Sequence, residues 1–239
     1  MQFMHAFTMQ FVFGNSIIDS LMEIYGFRVV AENFVYFLGG AGMTIFITAV
    51  SVALGMVLGL LSGIMKLSDN KLFYGIATVY IDFFRGTPLF VQILLLYFGI
   101  LPLIYNNGPI DSAIIACTLN SGAYIAEIVR AGIQAVDKGQ KEAAMSLGMN
   151  NRQAMMYVIL PQAYKIVIPP LINEFIALLK DTSLVSMIAA TELSYRGDIV
   201  YSNTYQAAWV WGSVAVIYLV ITKTLSIVGD VVERRLATE

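Results

Sequence analysis

Charge is what this sequence has least of. Only 13% of its 239 residues are Asp, Glu, Lys or Arg, against about 25% in a soluble domain. With 58% hydrophobic residues and a mean hydropathy of +0.75, too little polar surface remains to cover a soluble globule. A lone cysteine, Cys117, excludes an internal disulfide, and a lone histidine, His5, excludes a histidine-based metal site. A net charge of −2 leaves no basic patch, so nucleic acid is not an expected partner. No Gly-Lys-Ser/Thr follows a glycine-rich loop, so any ATP hydrolysis must belong to another polypeptide. No nucleophile–base pair stands in the apolar stretches, so no catalytic residue is expected.

What is present is a set of long apolar runs. A membrane helix needs about 20 apolar residues, and five stretches qualify: 33–65, 72–102, 110–133, 159–179 and 205–228. Lys66, Lys71, Lys138, Lys141, Arg152, Arg234 and Arg235 cluster on one side of these spans; the loop 103–111 on the other carries none. Cytoplasmic loops are enriched in Lys and Arg, so the pattern predicts an outside N-terminus and a cytoplasmic C-terminus. Residues 1–32 read as an N-terminal interfacial or extracellular segment, with a sixth span as the alternative, and 33–239 as one transmembrane domain. Span one carries Thr44, Thr48, Gly55, Gly59 and Gly63 at helical spacing, a stripe that lets another backbone approach, either internally or across a dimer.

Polar residues inside the spans are costly and carry the chemistry. Arg85 lies deep in span two, with Asp82 one turn earlier as a pairing candidate. Gly86-Thr87-Pro88 follows: a helix breaker, a capping residue and a helix-starting proline. The spacing predicts a helix that stops and restarts, with free N–H groups and a positive dipole end of the kind broken transporter helices use for anionic groups. Gln92 lies one turn into the restarted helix. Span three places Asn120, Glu127 and Gln134 on one face, with Glu127 and Arg130 one turn apart. Span four contains Pro169-Pro170, then Asn173, Glu174, Lys180 and Asp181. These polar groups fit either a passage for a zwitterionic solute or structural pairing between helices.

Residues 137–158 differ in kind, being polar, basic and helical in pattern, with Gly148 placed to allow a bend between two short helices. Such a helix either lies on lipid or docks in a partner's groove.

The motifs resemble those of a known family. Glu142-Ala143-Ala144, with Leu147, Gly148 and Ile159-Leu160-Pro161 after it, is similar to the EAA signature of bacterial ABC-importer permeases. Phe84-Arg85-Gly86-Thr87-Pro88-Leu89, Asn120-Ser121-Gly122-Ala123-Tyr124 and Leu179-Lys180-Asp181-Thr182-Ser183-Leu184 resemble the polar amino-acid branch, which serves histidine, glutamine, glutamate, arginine and cystine. The resemblance implies an all-α membrane protein of the type I importer fold in the bacterial cytoplasmic membrane. It implies a non-hydrolytic subunit that pairs with a second permease copy or paralogue and receives an amino acid from a solute-binding protein. A separate ATPase, which binds ATP and Mg, would grip a coupling helix at about 138–155. The family reading makes Glu142, Ala143, Ala144, Leu147 and Gly148 the coupling residues. Arg85, Thr87, Gln92, Asn120, Asn173, Glu174, Lys180 and Asp181 are the pathway candidates, and Gly86, Pro88, Pro169 and Pro170 the helix breaks. An ion-coupled secondary transporter is the alternative, although no inverted repeat is visible.

Overall fold

The structure is a computed structural model that describes residues 24–238. The expectation for residues 1–23 lies outside the described residues. From Tyr25 onward the described chain is helical, without strands.

Helix α1 runs from Tyr25 to Lys66, 42 residues. It begins eight residues before the expected span, because Arg28 and Glu32 near its N-terminal end do not interrupt it. Arg28 stacks 5.5 Å from the Tyr25 ring, and Asn33 Nδ2 bonds back to Val29 O at 2.8 Å. The turn after Lys66 ends at Asn70, whose side chain accepts the Leu72 N–H at 2.9 Å and caps α2 (Lys71–Gly86).

α2 has three faces. Leu72, Phe73, Ile76, Val79 and Phe83 are exposed apolar groups; Ala77 and Ile81 are buried with Ala126; Lys71, Tyr74, Asp82 and Arg85 make a polar stripe. Thr87 is extended at φ −121°, ψ 149°, as the residue before a proline prefers. The chain restarts as α3 (Leu89–Leu94), which continues through a π-turn to Ile100 and a 3₁₀ turn to Leu103. The axes on either side of the break are bent by 109°. The expected stop and restart is therefore a sharp corner.

α4 (Pro109–Ala135) is the central helix. Its small residues admit α1 at close range. A Cβ on Gly59 would stand 2.6 Å from Ile125 Cγ2, and one on Gly63 2.9 Å from Ala126 O. The glycine stripe of span one is thus spent within the chain, against Gly122, Ile125 and Ala126. After α4 come α5 (Lys138–Ser146) and α6 (Asn151–Ala154), which runs through a π-turn into α7 (Leu160–Asp181). Pro169 and Pro170 lie inside α7, which continues through them. A 3₁₀ segment, Thr182–Ile188, leads to α8 (Leu193–Thr204), and α9 (Ala207–Thr238) closes the described chain.

Four helical stretches are long and apolar enough to cross a membrane, and the bent α2–α3 pair makes up to five. The main core joins α1, α3, α4, α7 and the 3₁₀ segment; a second joins α1, α8 and α9.

Candidate functional site

The corner between α2 and α3 is held by amides. Gln92, 2% exposed, donates from Nε2 to Phe84 O at 2.8 Å, Thr87 O at 3.0 Å and Thr87 Oγ1 at 2.8 Å. Its Oε1 accepts from Asn120 Nδ2 at 2.9 Å, and Thr87 Oγ1 donates to Phe83 O at 2.8 Å. Carbonyls freed by the break at Gly86 and Pro88 thereby find partners in a medium that offers none. Thr87, Gln92 and Asn120 are brought together, and two of their amides are occupied by the fold itself.

Arg85 sits at the edge of this corner. The sequence offered Asp82 as its partner, but Arg85 Nη1 lies 3.6 Å from Glu127 Oε2 and its guanidinium 5.4 Å from the Tyr124 ring. Asp82 instead faces Lys66 Nζ at 3.8 Å. The tertiary partners win because α1 and α4 bring charges to the polar stripe of α2 that a local reading does not see. Glu127 is shared: Arg130 Nε donates to both its oxygens at 3.1 Å and Nη2 to Oε2 at 2.7 Å, while Nη1 bonds to Gln134. Lys66, Tyr74, Asp82, Arg85, Glu127, Arg130 and Gln134 line a cavity of about 320 Å³.

On α7 the adjacent residues Asn173 and Glu174 part company. Glu174 is half-buried toward α4, facing the Ser121 hydroxyl and within electrostatic range of Asp181 and Arg85. Asn173 looks the other way, lining a small hollow with Pro169, Ser226, Asp230 and Glu233 between α7 and α9. Lys180 and Asp181 are exposed at the end of α7.

The α5–α6 elbow is built to hold one shape. Asp137 caps α5 by accepting the Gly139 N–H at 2.8 Å. At the other end the Met149 N–H reaches Ala144 O at 3.2 Å and the Gly148 N–H reaches Met145 O at 3.0 Å. This is the Schellman pattern, and Gly148 at φ +89° occupies its left-handed position. Asn150 and Gln153 then form a reciprocal capping box, both bonds at 2.9 Å. The two short helices expected on either side of Gly148 are thus joined by a fixed turn, the second continuous with α7. Ala144 is buried, while Glu142, Ala143, Gly148 and Leu147, the last 82% exposed, stand on the outer surface of the elbow.

Sequence reasoning missed Glu192, which is fully buried. Its carboxylate caps α8 through the Ser194 and Tyr195 N–H groups at 2.8 and 2.7 Å. It also accepts from Tyr218 OH at 2.9 Å and Thr44 Oγ1 at 3.3 Å, tying α1, α8 and α9 together. Its one local signal was position, immediately before a helical stretch.

Comparison with known proteins agrees with this architecture. The chain is 39% identical over 200 residues to the glutamine transport system permease protein GlnP of Escherichia coli (strain K12), a match covering 82% of this chain and 91% of that protein. It is 41% identical over 199 residues to the L-cystine transport system permease protein TcyB of Bacillus subtilis (strain 168), covering 83% and 85%. A crystal structure of an amino acid ABC transporter with histidines superimposes with a TM-score of 0.83 at 43% identity, covering 86% of this chain and 96% of that chain. The inward-facing MetNI methionine ABC transporter, at 22% identity and a TM-score of 0.72, shares the fold. Residues 55–238 match the family model of the binding-protein-dependent transport system inner membrane component. The chain belongs to that family of transport-system permease subunits.

Proposed function

We propose that this permease is the membrane-embedded subunit of an ATP-driven amino-acid importer in a bacterial cytoplasmic membrane. It works with a second copy or a paralogue, an ATPase that binds ATP and Mg, and an external solute-binding protein. The observation that carries this reading is the α5–α6 elbow: an exposed, doubly capped turn on the same end of the bundle as Lys66 and Ala135. A turn whose backbone bonds are all internal transmits a push without deforming.

In this reading the ATPase groove receives Glu142, Ala143, Leu147 and Gly148, with Ala144 anchoring the elbow to the bundle. Because α6 runs without a break into α7, displacement of the elbow moves the whole of Asn151–Ile188. Glu174, Lys180 and Asp181 ride on that helix past Arg85 and the α2–α3 corner, whose polar groups belong to the remaining body. Relative motion of two packed bodies opens and closes a passage between them. A zwitterionic solute finds cationic and acidic groups on opposite bodies, Arg85 on one and Glu174 or Asp181 on the other. Asn173 faces α9, away from Arg85 and the α2–α3 corner, and takes no part in this passage. The Lys and Arg distribution supports an outside N-terminus and a cytoplasmic C-terminus.

Reconstitution tests the proposal. Proteoliposomes with this chain, its ATPase and its binding protein should accumulate a polar amino acid only with ATP. Uptake by this chain alone on an ion gradient would overturn it.

A further inference from the structure

The cavity between Lys66 at the end of α1, the polar stripe of α2 and the last turns of α4 carries an excess of positive charge. Lys66, Arg85 and Arg130 converge on it from three helices, against two carboxylates, Asp82 and Glu127. Two of the three cations are only loosely engaged. Lys66 meets Asp82 at 3.8 Å and Arg85 meets Glu127 at 3.6 Å, both longer than a hydrogen bond. Asp82 is itself largely in solvent, its side chain 67% exposed. Glu127 is committed to Arg130 through bonds of 2.7, 3.1 and 3.1 Å. The guanidinium fork of Arg85 and the ammonium of Lys66 therefore keep donors free for an oxyanion, a match for phosphate geometry.

The aromatic neighbours hold these cations in place while leaving their donors open. Lys66 Nζ lies 5.6 Å from the Tyr74 ring centre and Arg85 5.4 Å from that of Tyr124. Immediately around α2 from this polar stripe runs its exposed apolar face, Leu72, Ile76, Val79 and Phe83. A charged cavity at a span end beside an apolar strip has the two halves of a lipid seat, headgroup above and acyl chain alongside.

We propose that the Lys66–Arg85–Arg130 cavity binds a phosphate group, with the lipid-facing side of α2 favouring the headgroup of an anionic phospholipid over free phosphate. Which leaflet supplies the lipid rests on the orientation proposed above; the existence of the site does not. Occupation would brace α2 against α1 and α4 at the foot of the corner that carries Arg85.

The full-length protein, purified with its ATPase partner, is placed in bilayers of phosphatidylcholine containing a minor fraction of phosphatidylglycerol. Retained lipid is then read by native mass spectrometry. Phosphatidylglycerol should be retained preferentially, and Lys66→Gln should cut that preference about five-fold, the effect of one basic contact at a membrane surface. Arg85→Gln, which removes the other cation with open donors and leaves Glu127 paired with Arg130, should do the same. Lys223→Gln, on α9, should not. In a parallel arm the lipid-free protein in detergent is titrated with inorganic phosphate and its melting temperature followed. Stabilisation that disappears in Lys66→Gln would assign the site to free phosphate, and selective lipid retention assigns it to the headgroup. Absence of both responses, or responses unchanged in both variants, overturns the proposal. Neither arm measures transport, so failure here leaves the importer reading standing, and failure of import leaves this site standing.

Discussion

Asn120 and Gln92 stand on different helices, and their side-chain amides meet at 2.9 Å across the α2–α3 corner. The bond ties α4 to the short helix that enters the core through Ile93 and Leu96, and the Gln92 Nε2 bonds to Phe84 O and Thr87 O close the corner with the helix that bears Arg85. Gln92, read from sequence as a pathway residue, is thus also the latch of the corner. Gln92→Leu should strand the Thr87 carbonyl, leave Phe84 O with only the 3.3 Å bond from Asn120 Nδ2, and lower stability by about 1–3 kcal/mol. Thermal melting of the detergent-purified protein checks this. An unchanged melting temperature would mean that solvent already satisfies those carbonyls.

Gly148 is the position where a side chain is least tolerated in the elbow, since its φ of +89° is costly for any residue with a Cβ. Gly148→Ala should destabilise the turn by about 1 kcal/mol. Gly148→Asp or Glu142→Lys should abolish solute-stimulated ATP hydrolysis in the reconstituted complex while membrane insertion stays normal. Full stimulation in both variants would remove the elbow from the coupling path.

Glu192 predicts a different phenotype. Glu192→Ala removes the acceptor for two helix-end N–H groups and two hydroxyls, and should cost on the order of 2 kcal/mol. Hydrogen exchange should accelerate first at the amides of Ser194 and Tyr195, with the α5–α6 elbow unaffected. Uniform acceleration would assign Glu192 to global stability instead of to α8.

Arg85→Ala should impair amino-acid uptake more than it impairs assembly with the ATPase, because the side chain faces a cavity and no docking surface. Arg85→Lys should rescue uptake only in part, since an ammonium cannot reproduce the fork presented beside Glu127. Wild-type uptake in Arg85→Ala would return the residue to a purely structural role.

Much of this fold was legible because lipid imposes a simple rule: runs without charge become spans, and Gly86-Thr87-Pro88 must interrupt one. The elbow was legible too, since Gly148 among polar helix formers has few other uses. What the sequence concealed were choices between partners. Asp82 is one turn from Arg85, yet Glu127 and Lys66 come closer once α1, α2 and α4 pack. Asn173 and Glu174 are neighbours in sequence, but about 100° of helical rotation separates adjacent residues, so one faces α9 and the other α4. The glycines of span one allowed either an internal or an external partner, and Ile125 on α4 decides between them. Glu192 gave almost no sign, because its four donors come from three helices far apart along the chain.

The central claim is that the α5–α6 elbow is a cytoplasmic grip for a separate motor. Cys117 is buried and can be replaced by Ala, so a single cysteine introduced at the exposed Leu147 reports on that surface alone. The measurement is its labelling by a membrane-impermeant maleimide. The account predicts no labelling in intact cells, strong labelling in inside-out vesicles stripped of the ATPase, and protection when the ATPase is restored. Labelling in intact cells, or labelling in stripped vesicles that the ATPase leaves unchanged, would contradict it.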